Sequence, residues 1–215
     1  SATRSAAAQR RKSGCVEFDG ITSLDGFTSL DISLPTRQWV RPCVFGLFFV
    51  LLPNLREIDL SNIILDGMEA RKKFRYTPLL EKVVCRGSKG LTPEGWEFQF
   101  VNNLKDIVAD DSSFQFSSWR GIGPSRRGIG LFSTLVGGID GEHLFCFCRS
   151  IERLSIRNVR SRNCGSGFVW QTIPQSALIK FVRNAPSSLR WFRSDLSQEN
   201  IAVLSKERPE IEFLN

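Results

Sequence analysis

The one histidine of this 215-residue chain, His143, stands close to Cys146 and Cys148. An imidazole beside a thiol can take its proton and make a nucleophile. The same three residues are also a partial ligand set for zinc, which needs four donors. No second cysteine pair lies nearby, and Cys146 and Cys148 adjoin the start of a repeated apolar phrase, which predicts burial for both. A Gly-rich run, Gly121-Ile-Gly123 to Gly128-Ile-Gly130 with Arg126 and Arg127, has the flavour of a phosphate loop. It lacks a preceding strand and the Gly-Lys-Ser/Thr ending that would bring a lysine and a hydroxyl to the phosphates. We therefore expect no catalytic residue, no metal site and no cofactor, and hence no enzyme.

A different kind of chemistry gathers toward the C-terminus. Arg153, Arg157, Arg190, Trp191, Arg193 and Phe213 are of types enriched where proteins bind one another. All but Arg157, which follows by one residue, belong to a phrase of the form P-x-L-[RE]-x-I-x-L, which reads LPNLREIDL at 52–60, TPLLEKVVC at 77–85, VNNLKDIVA at 101–109, CRSIERLSI at 148–156, PSSLRWFRS at 186–194 and RPEIEFLN at 208–215. Its first apolar anchors are Leu55, Leu80, Leu104, Ile151, Leu189 and Ile211; the second, three residues on, are Ile58, Val83, Ile107, Leu154, Phe192 and Leu214. First anchors are separated by 25, 24, 47, 38 and 22 residues, and 47 is close to twice the basic period. Periods of this length mean stacked units, each unable to bury its apolar face alone.

The elements that position these residues follow from the pattern. Each phrase predicts a short strand, and the segments between predict helices: Leu65, Met68 and Phe74 on one face of 65–75, Trp96 and Phe100 after a Thr92-Pro93 start, Leu178, Phe181 and Val182 in 174–184, and Ile201 and Leu204 in a last helix capped by Ser197. Parallel strands joined by helices coil with one preferred hand, so the expected fold is α/β, a right-handed solenoid with a parallel sheet on one face and helices on the other. Residues 1–14 read as a disordered basic tail, 15–43 as an N-terminal cap and 44–215 as the solenoid, with 112–147 either a divergent repeat carrying a strand at 131–136 or a long loop.

Stacking sets equivalent residues about 4.8 Å apart. The first exposed row then runs Arg56, Glu81, Lys105, Glu152, Arg190, Glu212, and the second Glu57, Lys82, Asp106, Arg153, Trp191, Phe213. Over the first three units both rows alternate in sign, so these charges are expected to pair with one another and hold register. Toward the end the alternation gives way to Arg190, Trp191, Arg193 and Phe213, next to Arg153 and Arg157.

A net charge of +7 and 41% apolar residues suit a packed, soluble domain; the charge also suits anionic partners. From Arg149 to Arg193 nine Lys or Arg face Glu152 alone, yet no aromatic residues interleave as a base-stacking platform requires. The apolar run from Cys43 to Leu52 is too short to span a bilayer and predicts a buried helix or strand. Six cysteines, one at an inward repeat position, suit an intracellular, cytoplasmic or nuclear setting. The Ser/Ala/Arg-rich start would also fit the remnant of an organelle-targeting peptide or a trimmed tail.

The units LPNLREIDLSN, LEKVVCRGSKGLTPEGWEFQFVNNLKDI and IERLSIRNV resemble leucine-rich repeats, closest to the divergent BspA-like class, and 177–215 resembles the C-terminal end of the leucine-rich-repeat families found in diatoms. The resemblance covers roughly 44–111 and 144–215, and residues 115–143 depart from it. The usual consensus asparagine has counterparts only near Asn62 and Asn158. The resemblance implies a non-enzymatic interaction scaffold; from the residues themselves we expect a chain monomeric in isolation that binds another protein through its exposed sheet, with Arg153, Arg157, Arg190, Trp191, Arg193 and Phe213 as the contact set. Two other readings are a nucleic-acid or anionic-surface binder using Arg149–Arg193, and a permanent subunit of a larger assembly.

Overall fold

A computed structural model describes residues 26–39, 49–65, 72–92, 95–115, 144–162 and 170–215. Thirteen strands are seen in them: β1 Ser29–Asp31, β2 Gln38–Trp39, β3 Glu57–Asp59, β4 Ile63–Ile64, β5 Lys82–Val84, β6 Lys89–Leu91, β7 Asp106–Val108, β8 Ser113–Gln115, β9 Arg153–Ser155, β10 Arg160–Arg162, β11 Trp170–Thr172, β12 Trp191–Arg193 and β13 Glu212–Leu214. Two helices, α1 Gln175–Asn184 and α2 Gln198–Glu207, flank β12 in sequence.

One sheet runs β1-β3-β5-β7-β9-β12-β13, every neighbouring pair parallel and in chain order. This is an α/β solenoid, leucine-rich-repeat-like in build. Its inward rows are the repeated anchors. Leu55, Leu80, Leu104, Ile151 and Leu189 are buried, as are Ile58, Val83, Ile107, Leu154 and Phe192. Each such side chain contributes about 1.5–3 kcal/mol through removal from water, and only a neighbouring coil can cover it.

The last unit departs from the expected register. Phe192 pairs with Phe213, so Phe213 continues the inward row, and Glu212 rather than Phe213 stands beside Trp191. The Phe213 ring meets the Phe192 ring edge-on at 6.4 Å. The step between these two coils is thus one residue shorter than the anchor spacing suggested, because packing of the two rings outweighs the three-residue anchor rule. Leu214, expected inside, is exposed.

A second sheet, β11-β10-β8-β6-β4-β2, was not expected. It is parallel throughout except where β11 turns back along β10. The chain reaches it through a corner at the same place in four coils, where Asn62, Gly87, Asp111 and Asn158 all have positive φ (53° to 65°). These residue types tolerate the left-handed region best. The two asparagines near the consensus position are therefore two members of a corner row, filled elsewhere by Gly and Asp. The corners are tied coil to coil: Asn62, Gly87 and Asp111 donate their N–H to Arg86, Asp110 and Arg157 carbonyls at 2.7–2.9 Å, and Asn158 N–H donates to the Asp195 carboxylate. Behind every corner the next residue turns inward: Ile63, Ser88, Ser112 and Val159. Ser88 and Ser112 are fully buried, and their hydroxyls donate to the Leu60 and Cys85 carbonyls one coil back.

Within the described residues, 49–51 and 72–74 are helical, and Trp96–Phe98 is one 3-10 turn. They present Phe49, Phe74 and Phe98 as a buried file with ring centroids 4.9 and 5.2 Å apart. Phe98 goes inside and Phe100 outside, the reverse of what a full helix would give. Two complete helices lie on either side of β12. α1 buries Ala177, Leu178, Phe181 and Val182, and α2 is capped by the Ser197 hydroxyl, which accepts from Asn200 N–H at 3.3 Å. β7 pairs directly with β9, so the first sheet crosses the 47-residue step without a strand between.

Several expectations fall outside the described residues: the tail 1–14, the first part of the cap 15–43, Met68, Pro93, the glycine run, the proposed strand at 131–136, and His143. Residues 26–39, the rest of the expected cap, add one strand to the edge of each sheet. Cys85 and Cys148 are buried as expected, whereas Cys146 is exposed, because the 144–147 turn directs its neighbours Phe145 and Cys148 inward.

Candidate functional site

The outward row of the first sheet reads Glu57, Lys82, Asp106, Arg153, Trp191, Glu212 in register. Its charges pair as their alternation predicts, and the pairing runs one coil further than expected. Arg56 bonds Glu81, Lys82 lies 3.5 Å from Glu57, Lys105 3.8 Å from Glu152, and Arg153 3.9 Å from Asp106. Exposed pairs of this kind each contribute at most about 1 kcal/mol, so their main effect is on register. Partial burial raises the Asp106 pKa, with Arg153 and Lys82 opposing the shift and Glu57 reinforcing it.

The row changes character at Trp191. Strand alternation turns Phe192 in and so turns Trp191 and Arg193 out, both half-buried. The Arg153 guanidinium lies over the indole, 4.6 Å from its centroid. A cation on an exposed aromatic face contributes about 0.5–1 kcal/mol and holds the ring in one orientation.

Arg193 is held from below. Its Nη1 donates to Oδ2 of Asp110 at 3.4 Å. Asp110 lies at the corner of another coil, buried, and its Oδ1 accepts from the Ser155 hydroxyl at 2.5 Å and from the Arg157 N–H at 2.9 Å. One carboxylate thus ties three coils together. The sequence reading missed Asp110, and only the Asp-Asp pair in a corner position could have flagged it.

Of the six expected contact residues, Arg153, Trp191 and Arg193 come together on the face. Arg157 is exposed in the corner turn after β9, and Arg190 enters β12, where Nη1 donates to the carbonyls of Ser187 and Leu189. Phe213 is turned to the core side and does not join them. Exposed Leu214 stands beside Arg193 in its place. The basic excess of 149–193 is spread over different faces: Arg183, for one, makes two hydrogen bonds to Glu207 across α1 and α2, at 2.7 and 2.8 Å.

Burial pushes the thiols of Cys85 and Cys148 well above the ordinary range, Glu97 adding to both shifts. No group of three or more potential metal ligands occurs among the described residues, and no helix there is long and apolar enough to cross a membrane. The fold and face define a repeat solenoid with a structured outer sheet. No protein-family model matches the chain, and no curated protein matches it.

Proposed function

We propose that the coils are leucine-rich repeats and that the chain is a non-enzymatic scaffold binding another protein through the C-terminal end of its outer sheet. The observation that carries this is Trp191, an aromatic residue held on the outward face by Arg153 and bordered by Arg193 and Leu214. A preorganised ring and guanidinium lose little side-chain entropy on binding, and both residue types are common binding hot spots. Affinity purification with mass spectrometry identifies the partner, and the purified pair is then titrated. Trp191→Ala is expected to weaken binding by about ten-fold or more while leaving the melting temperature nearly unchanged. Unchanged binding together with a lower melting temperature would make Trp191 a packing residue and end this reading.

A further inference from the structure

The two outward rows of the first sheet pair their charges coil by coil, and one carboxylate is left over. Glu57, Glu81, Asp106 and Glu152 each face a cation from a neighbouring coil: Lys82, Arg56, Arg153 and Lys105. Glu212 continues the second row, in register with Trp191. Where the earlier carboxylates meet a Lys or Arg, this one meets an indole. Glu212 is exposed, and among the described residues its carboxylate makes no hydrogen bond or ion pair. β13 ends the described sheet, so no described strand lies on its other side.

The guanidiniums near this end are already engaged. Arg153 lies 3.9 Å from Asp106, Arg193 donates to Asp110 at 3.4 Å, and Arg190 donates to the Ser187 and Leu189 carbonyls. Arg157 is exposed but sits past the end of β9, in the corner turn. An incoming carboxylate would therefore have to displace a bond already made, whereas an incoming cation meets a free carboxylate. The indole offers the second half of such a site. Its π face attracts cations, as the Arg153 guanidinium 4.6 Å from the centroid shows. Arg153 comes from β9 and Glu212 from β13, so the ring stands in register between a cation and an unpaired carboxylate.

Granted that the partner binds at this end of the outer sheet, we infer that Trp191 and Glu212 together receive one of its Lys or Arg side chains, an assignment that rests on that reading. Neighbouring strands about 4.8 Å apart let one ammonium or guanidinium touch both the ring and the carboxylate. It supplies the cation that follows each earlier carboxylate of the row, as Lys82 follows Glu57 and Arg153 follows Asp106. A purely apolar partner group fits less well, because it would strip water from Glu212 and leave the charge without a partner. An acidic group fits less well because it would set like charges against each other.

The probe is a short peptide alternating Lys and Ser, followed through the indole N–H signal of Trp191 in NMR, which Trp191→Phe assigns. The signal should shift saturably with this peptide and stay in place with Glu for Lys. Glu212→Gln should weaken the Lys peptide about five-fold, the effect of losing one exposed charge pair. Glu81→Gln, whose carboxylate already serves Arg56, should leave it unchanged. No shift with the Lys peptide, or a shift indifferent to Glu212→Gln, would overturn the inference. The captured partner should lose affinity on Glu212→Gln and more on Glu212→Lys. Tighter binding of either variant would mean an anionic partner and overturn it as well. Loss on Trp191→Ala with Glu212→Gln unchanged would sink the cation site and leave the scaffold reading standing. A partner indifferent to Trp191→Ala would end that reading, while the Lys peptide judges the cation site by itself.

Discussion

Asp110 shows how much one side chain can organise in a solenoid. It is buried, carries a formal charge and serves three partners on two other coils: Ser155, the Arg157 backbone and Arg193. Asp110→Ala would orphan a buried hydroxyl and an amide N–H. Each orphan costs about 1–3 kcal/mol, so we expect a loss of about 2–4 kcal/mol in urea unfolding. Loosening Arg193 should also weaken any partner held by the outer sheet. A variant as stable as the parent would show that water replaces the carboxylate without loss. Alternating Lys and Glu were readable in the chain because like and unlike charges at a fixed period announce pairing. Asp110 was not, because its partners lie 45, 47 and 83 residues away.

Among the elements, the second sheet depends on a glycine. β6 pairs with β8 through a register shift between Lys89 and Leu91. At the shift, Gly90 has φ +88°, and a Cβ there would lie 1.8 Å from the Leu65 carbonyl oxygen. That oxygen is backbone and has no room to rotate away, so Gly90→Ala must displace the neighbouring coil. A loss of about 2–4 kcal/mol is expected, combining left-handed strain with overpacking, and thermal melting checks it. A change under about 0.5 kcal/mol, the range of ordinary surface substitutions, would mean the bulge relaxes freely. The helices divide in an instructive way. The stripe of α1 and the Ser197 cap of α2 were readable from residue spacing and capping chemistry. The segment after Thr92 looked helical by the same spacing, yet its described residues hold only the 3-10 turn Trp96–Phe98.

The whole molecule is a stack in which each coil is covered by its neighbours, so protection should follow position along the stack rather than chain order. Hydrogen exchange is expected to be slowest in β5, β7 and β9 and fastest in β1 and β13, the first and last strands of the described sheet, whose alternate residues are exposed. Equal protection of β1 and β7 would mean that the stack unfolds only as a single unit. β7 and β9 should exchange alike although 47 residues separate Asp106 from its partner Arg153, since pairing and not sequence distance sets the neighbour.

The amino-acid sequence by itself determined that this protein coils, because apolar anchors at a period near 24 have no other way to leave water. It also determined where the first sheet's strands begin and that the charges between them pair. Only the tertiary structure decided the corner row, the second sheet, the inward turn of Phe213 and the clasp at Asp110. Each of these rests on contacts between coils, and the close fit of one coil on the next is carried by shape, which a linear period does not encode.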